Sequence, residues 1–400
     1  MSDTFADVRA RLQSFDIGAR RWALAGTVLV ITLLPLLFFG PGNDLDVGNI
    51  FRSGRSITRH FHYRPSRAPG APVHETIVGL LDRLGGPLLT NLASLVMAIV
   101  LAVALFALLR REGVRRAGLL AVPLVVLNPW FLIAATSTTD YLFALAFVVL
   151  AALAMRRDQP IPAGVLAALS MGCRIGSGLL ILAMLFAELS EGRAARRRVI
   201  QTAVVAVGVT LLLFVPAFVA AGSSLKFAEN DFSTSSPLVQ VGRTLVKDML
   251  LFGPIGSIVL LAAVPALIRA VGRWRTQWLV RFAVPGLALS QLLFLRFPWK
   301  MPHLLPCLVC SAILLAVALD RRPALLYALV ITQVLYIGIR IDVVKPNDPN
   351  KATGGRFGLD AGWGPVVVDL RCRQEHPKAY LGRQKVEIED AWDCAKPFGG

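Results

Sequence analysis

Apolar residues along this chain fall in long unbroken runs. Trp22 to Gly40 holds no charge, and further apolar runs lie at about 87–109, 117–135, 141–155, 161–173, 176–189, 199–221, 251–268, 277–295, 303–319 and 323–341. A membrane-spanning helix needs about 20 apolar residues. The pattern therefore predicts an all-α polytopic membrane protein with about eleven transmembrane helices. The stretch 161–189 is long for one helix and short for two, and it is interrupted by Gly172, Arg174, Gly176, Ser177 and Gly178. It is read as two short helices meeting at a glycine-rich turn. Irregular backbone at membrane depth is tolerated only against protein or a wet cavity, so this turn should border the functional cavity.

Three polar segments separate from the runs: 41–86, 222–250 and a tail from about 342. The tail exchanges aliphatics for Pro, Gly, Asn and charge. This divides the chain into a transmembrane catalytic domain, 1–345, and a small soluble appendage, 346–400. Composition agrees, with 55% hydrophobic and 17% charged residues in 400, which excludes a secreted domain, a disordered chain and most cytosolic enzymes. A net charge of +17 would suit nucleic acid, but 20 of the 42 Lys and Arg lie before the first run and in five short alternate loops. Basic residues mark cytoplasmic loops. The N-terminus is then cytoplasmic, the C-terminus and the three large segments extracytoplasmic, and membrane lipids rather than nucleic acid answer the charge. No small-residue cleavage site follows the first run, so it reads as a retained span.

Chemistry concentrates where charge meets the apolar runs. Pro41-Gly42-Asn43-Asp44-Leu45-Asp46 directly follows the first span. Two carboxylates one residue apart can share a divalent cation, one can act as a general base, or one can cap a helix start. Beyond them, Phe51, Ile57 and Phe61 interleave with Arg52, Arg55, Arg59, His60 and His62, which suits a helix lying in the headgroup interface. Tyr63-Arg64-Pro65-Ser66-Arg67-Ala68-Pro69-Gly70-Ala71-Pro72-Val73-His74-Glu75 follows, then a second amphipathic stretch. Such a loop can hold an anionic headgroup, with Arg67 on phosphate and Tyr63, His74 and Glu75 toward substrate. Asp140 either caps the helix after it or faces the same cavity, and His303 is a further substrate or metal candidate. Cys372 and Cys394 can pair in an oxidising compartment or stay unpaired; Cys307 and Cys310 read as buried packing.

The acidic pair, the interfacial helices and the Pro-Ser-Arg-x-Pro-Gly-x-Pro turn resemble the first extracytoplasmic loop of GT-C glycosyltransferases. That superfamily includes aminoarabinose transferases, protein O-mannosyltransferases and dolichol-phosphate-dependent enzymes. Ala163 to Ser177 is similar to its short helix pair with a basic apex, and Phe297-Pro298-Trp299-Lys300-Met301-Pro302-His303 to the turn opening a late span. The resemblance implies transfer of a sugar, hexosyl or pentosyl, from a polyprenyl-phosphate carrier to a glycan, lipid or protein acceptor outside a bacterial plasma membrane. It places Asp44 as base or acceptor orienter. Asp46 departs from the frequent Asp-Glu form, leaving a divalent cation (Mg or Mn) on Asp44 and Asp46 an open point. An arginine within apolar helices costs about 2.5–3.5 kcal/mol on insertion scales, which nominates Arg174 to hold the donor phosphate, with Lys300 and Arg296 beside it. The competing class is a transporter or flippase of lipid-linked substrate, without covalent chemistry.

Overall fold

The computed structural model describes residues 24–44, 46–114, 117–222, 237–298, 300–321, 323–344 and 358–375. The N-terminal basic residues through Arg21, Arg115, Arg116, Arg322, Trp299, the 223–236 stretch and Cys394 lie outside the described residues.

The apolar runs become helices: α1 (Leu24–Phe38), α3 (Pro72–Arg111), α4 (Gly118–Val126), α5 (Pro129–Ala135), α6 (Tyr141–Met155), α7 (Pro160–Cys173), α8 (Gly178–Leu189), α9 (Arg193–Ala220), α10 (Pro237–Val271), α11 (Trp278–Arg296), α12 (Leu305–Leu319) and α13 (Ala324–Gly338). The amphipathic α2 (Asp46–His60) lies between α1 and α3. Among the described residues, five helices are long and apolar enough to cross a membrane, or six if α4 and α5 form one span bent by 66°. Several other runs close early; α6, for example, has 15 residues. The molecule is a multi-pass helical membrane protein in which several apolar runs form helices shorter than these five.

Two long helices are broken where glycine precedes proline. In α3 the backbone leaves the helix at Gly85 and at Gly86 (φ +66°), ahead of Pro87. In α10 it does so at Gly253 (φ +72°), ahead of Pro254. Glycine tolerates the left-handed backbone and proline supplies no N–H to the helix. The break in α3 separates a short arm, 72–84, from the apolar helix beyond. That arm and α2 are the two helices within 41–86. They cross so closely at Gly54 and Gly79 that neither position has room for a Cβ. Arg55 Nε, 2.7 Å from the buried Asp82 Oδ2, ties them further.

α6 lies at the centre of the bundle, packed against α3 and α7 and buried along most of its length. Leu211 and Leu212 on α9 and Leu261 and Ile268 on α10 are exposed, an apolar exterior suited to lipid. The bend between α4 and α5 is structural. Asn128 Nδ2 donates to Leu251 O (2.7 Å) and Gln333 Oε1 (2.9 Å), while its Oδ1 accepts from Trp130 N–H (3.1 Å).

At the C-terminal end of α6 the wholly buried Glu188 accepts from Arg156 (3.3 Å), Arg198 (3.1 Å) and Trp278 Nε1 (3.1 Å). Removing one partner from a buried ion network leaves uncompensated charge. Glu188→Ala should therefore destabilise the protein by about 3–5 kcal/mol, readable as a lowered midpoint of thermal unfolding in detergent. A variant as stable as wild type would refute a structural role for this network.

Beyond α13 the chain forms an antiparallel hairpin, β1 (Ile339–Val344) with β2 (Gly358–Trp363), and then α14 (Pro365–Glu375). The division at 345/346 falls between the two strands, and α14 packs back onto α13 and α5. Gly364 donates to Gly338 O (2.9 Å) and sits against the Tyr336 and Ile337 carbonyls with no space for a side chain. Cys372 is disulfide-bonded.

Candidate active site

Six charged side chains from five chain segments converge at the N-terminal end of α6. Asp44 precedes α2 and Asp46 opens it. Arg67 comes from the 61–71 loop, Asp140 from the turn before α6, Arg174 from the corner between α7 and α8, and Lys300 from the turn before α12. Lys300 Nζ lies 2.6 Å from Asp44 Oδ1 and 3.0 Å from Asp46 Oδ2. Arg67 spans Asp46 (2.9 Å) and Asp140. Arg174 donates to Asp140 at 3.2 and 3.4 Å and lies 4.2 Å above the Tyr141 ring. Tyr141 also donates from its hydroxyl to Asp44 Oδ2 at 3.4 Å. Three carboxylates thus balance three cations.

Local structure explains why these residues meet. α7 ends at Cys173, and Arg174 adopts an extended backbone (φ −155°, ψ 109°) before a single 3-10 turn leads into α8. The corner is held by Ser170, whose Oγ donates to Ala144 O (2.8 Å) and lies 2.7 Å from Ser177 Oγ. The glycine-rich turn of 161–189 is thus a corner bordering the charge cluster, as expected. Arg67 is placed by Glu75, which accepts from Ser66 N–H (2.9 Å), Ser66 Oγ and Ser53 Oγ (3.0 Å). The Asp44 and Asp140 segments are stitched together by Thr138. Its N–H donates to Pro41 O (2.8 Å) and its Oγ1 to Asn91 Oδ1 (2.9 Å), while Asn91 Nδ2 donates to Gly40 O (2.7 Å). A Cβ at Gly42 (φ +103°) would lie 2.6 Å from Ser137 Cβ, so this close approach requires glycine.

The ionic balance is strong. Burial alone would raise Asp46, but Lys300 and then Arg67 hold it well below the usual carboxylate range. Burial likewise opposes ionisation of Asp140, and Arg67 and Arg174 overcome it, lowering its value. Burial would lower Lys300, but Asp44 and Asp46 raise it. Asp46 and Asp140 therefore stay ionised at neutral pH. The stability their pairs contribute is present above about pH 4 and lost as pH falls through the lowered folded-state values. Asp44 faces one cation where the other two face two.

The remaining sequence candidates are placed elsewhere or serve as supports. Glu75 is fully buried as the brace of the Arg67 loop, and His74 is buried edge-on to Phe143, ring centres 4.9 Å apart. Tyr63 packs over Gly70 and against Phe214. Arg296 is exposed and lies over Phe297. His303 stands beside Tyr141, ring centres 5.8 Å apart. Asp140 makes no side-chain cap on α6, which settles its two readings toward the cluster. Asp44 does both: its Oδ1 accepts Asp46 N–H (2.9 Å) at the start of α2 while facing Lys300. Tyr141 was not singled out as a site residue; its position next to Asp140 was the available signal.

A divalent cation on Asp44 and Asp46 does not fit this arrangement. The Lys300 ammonium lies within hydrogen-bond distance of both carboxylates, with the Arg67 guanidinium on Asp46, so an added cation would meet two positive neighbours. Among the described residues, no group of three His, Cys, Asp or Glu is arranged to hold a metal ion.

The arrangement of helices is shared with solved structures. The structural similarity is to ArnT from Cupriavidus metallidurans. Its complex with undecaprenyl phosphate matches at TM-score 0.57 and 14% identity, over 95% of this chain and 76% of that one. Its apo form matches at TM-score 0.57 and 17% identity, over 76% and 60%. The chain thus spans about three fifths of the apo ArnT chain in that match. An oligosaccharyltransferase from Archaeoglobus fulgidus matches at TM-score 0.48 and 14% identity, over 92% of this chain and 55% of that one. No protein-family model matches the sequence, and no curated protein matches it. The likeness to ArnT, at these identities, establishes a common fold.

Proposed function

We propose that this protein transfers a sugar from a polyprenyl-phosphate carrier to an acceptor hydroxyl by single displacement, at the extracytoplasmic face of a bacterial plasma membrane. The observation that carries the reading is the convergence of Asp44, Asp46 and Asp140 with Arg67, Arg174 and Lys300, on a fold shared with a protein whose structure holds undecaprenyl phosphate. The eleven apolar runs, taken as eleven crossings with the N-terminus cytoplasmic, put this cluster on the extracytoplasmic side. Transfer of a hexose or a pentose is compatible with it.

In the reaction the acceptor oxygen bonds to the anomeric carbon as the bond from that carbon to the carrier phosphate breaks, with its electron pair leaving on phosphate. The transition state is oxocarbenium-like. Asp44 takes the acceptor proton, because protonating a carboxylate with one cationic neighbour breaks fewer ion pairs than protonating Asp46 or Asp140. Arg174 and Lys300 stabilise the charge that grows on the leaving phosphate. Arg174 is the readier of the two to turn to it, since its bonds to Asp140 are long. A cavity of about 380 Å³ among α10, α11 and α12, lined mainly by leucines and Val264 but also by Asp248, Ser257 and Ser311, offers a mostly apolar surface to isoprenoid chain.

The test reconstitutes the purified full chain in proteoliposomes with labelled polyprenyl-phosphate pentoses and hexoses and follows sugar lost from the carrier. Sugar released or transferred, at a rate unchanged by EDTA, is the expected outcome. Labelled lipid crossing the bilayer with no covalent change would replace this reading with transport. Loss of turnover in EDTA, restored by Mg or Mn, would overturn the assignment of Lys300 as the cation serving both carboxylates.

A further inference from the structure

We propose that α14, the helix closing the described part of the tail, is a strut that holds two catalytic segments in register through Arg373 and Asp369. The inference deepens the reading above and rests on it for the meaning of the aligned groups.

Arg373 is large, charged and only 1% exposed, in a part of the chain whose sequence reads as a polar appendage. Burial of such a group is offset by hydrogen bonds, and here both terminal nitrogens are engaged while Nε finds no partner among the described residues. Its Nη1 donates to Thr136 O (3.1 Å) and its Nη2 to Ser137 Oγ, while the same nitrogen pairs with Asp369 Oδ2 one helical turn earlier (2.8 Å). Asp369 in turn accepts from Asn43 Nδ2 at its Oδ1 (2.8 Å) and at its backbone carbonyl (3.2 Å). The helix therefore grips Asn43, immediately before Asp44, and Thr136–Ser137, a few residues before Asp140.

These two segments carry carboxylates that must converge on the same cations. Thr138 and Asn91 join them on the α3 side. The Arg373–Asp369 pair joins them again by a separate set of bonds. Arg67 and Tyr141 also link them, but through the clustered carboxylates themselves; the α14 grip fastens both segments without using those carboxylates. Val366 is buried in the main core, and the tight Gly364 turn fastens the start of α14 to the end of α13, so the strut has a firm base. Arg373 is a positioning residue in this account; no contact joins it to the six clustered charges.

The test uses full-length protein in detergent with Arg373→Ala. A misplacement near 1 Å can cost about 10²-fold in rate, so turnover per bound donor should fall about 10–100-fold. Undecaprenyl phosphate, used as the binding probe, should keep its wild-type stoichiometry and affinity. Millimolar guanidinium, which fits the space left, should recover part of the rate, whereas Arg373→Lys should recover little, because an ammonium cannot reproduce the forked contacts. Amide hydrogen exchange supplies a readout independent of activity. Protection of 40–46 and 136–140 should drop about tenfold while α12 is unchanged. If wild type transfers no sugar, the functional reading fails, and exchange still decides the strut. Unchanged exchange in both segments, or wild-type turnover per bound donor, overturns it. Should Arg373→Ala not fold, Asn43→Ala removes only the grip on the Asp44 segment. It is then expected to loosen 40–46 but not 136–140, and equal loosening of both or of neither refutes the strut.

Discussion

Asp44→Asn lowers kcat by about 10²–10⁴-fold, the range for removal of a general base, and does so without weakening the donor complex. The second part follows from the charge count. The cluster holds three carboxylates and three cations, so neutralising Asp44 leaves it one charge more positive toward a phosphate. Lys300 keeps Asp46 as a partner at 3.0 Å and stays in place. The donor KM should stay level or fall while kcat collapses. A variant that merely disturbed the fold would lose active sites without tightening donor binding. Turnover of labelled donor by the purified variant, with undecaprenyl phosphate binding measured alongside, reads both quantities. Wild-type turnover would remove Asp44 from the chemistry.

Arg174→Ala should act in the opposite sense on binding. Removing one charge-stabilising donor costs about 10²–10³ in kcat, and here it also raises donor KM, because the site loses a phosphate-facing cation. Asp140 keeps its pair with Arg67, so the fold should survive. Arg174→Lys is not expected to restore the rate. The guanidinium carbon lies 4.2 Å from the Tyr141 ring centre while the group reaches Asp140, and a lysine lacks the planar, delocalised fork that makes both contacts. Equal kcat for Arg174→Ala and wild type would mean that another group carries the leaving phosphate.

Much of this site was legible before any coordinate. A charged side chain at the end of an apolar run, or inside one, stands against a large desolvation cost and so announces a purpose. Arg174 stands out that way, Asp44 and Asp46 by their spacing after the first apolar run, Lys300 by the resemblance of its turn, and the corner at Arg174 by its glycines. Asp140 has two roles open to it in the sequence, since a helix-capping aspartate and a cavity-facing one look alike there. His74 and Glu75 were read toward substrate because they sit in the right loop. Burial against Phe143 places the first, and hydrogen bonds to Ser53 and Ser66 engage the second. Arg296 was indistinguishable by sequence from Lys300, four residues on, yet it lies exposed at the end of α11.

Other features carried no local mark. Tyr141 opens an apolar helix, where an aromatic is ordinary. Asn43, Asp369 and Arg373 are polar residues in polar segments, and their roles rest on bonds across 237 and 326 positions of sequence.

The sequence by itself determined that the chain lives in a membrane as many helices, that one of its apolar runs turns a corner at Arg174, and which charges sit at the ends of those runs, because hydropathy and glycine-rich turns act locally. Only the tertiary structure decided that Lys300 stands between two carboxylates, that Arg67 joins Asp46 to Asp140, and that the tail reaches back onto the site. Those are matters of packing, in which distant segments share one small volume and the charges neutralise each other there.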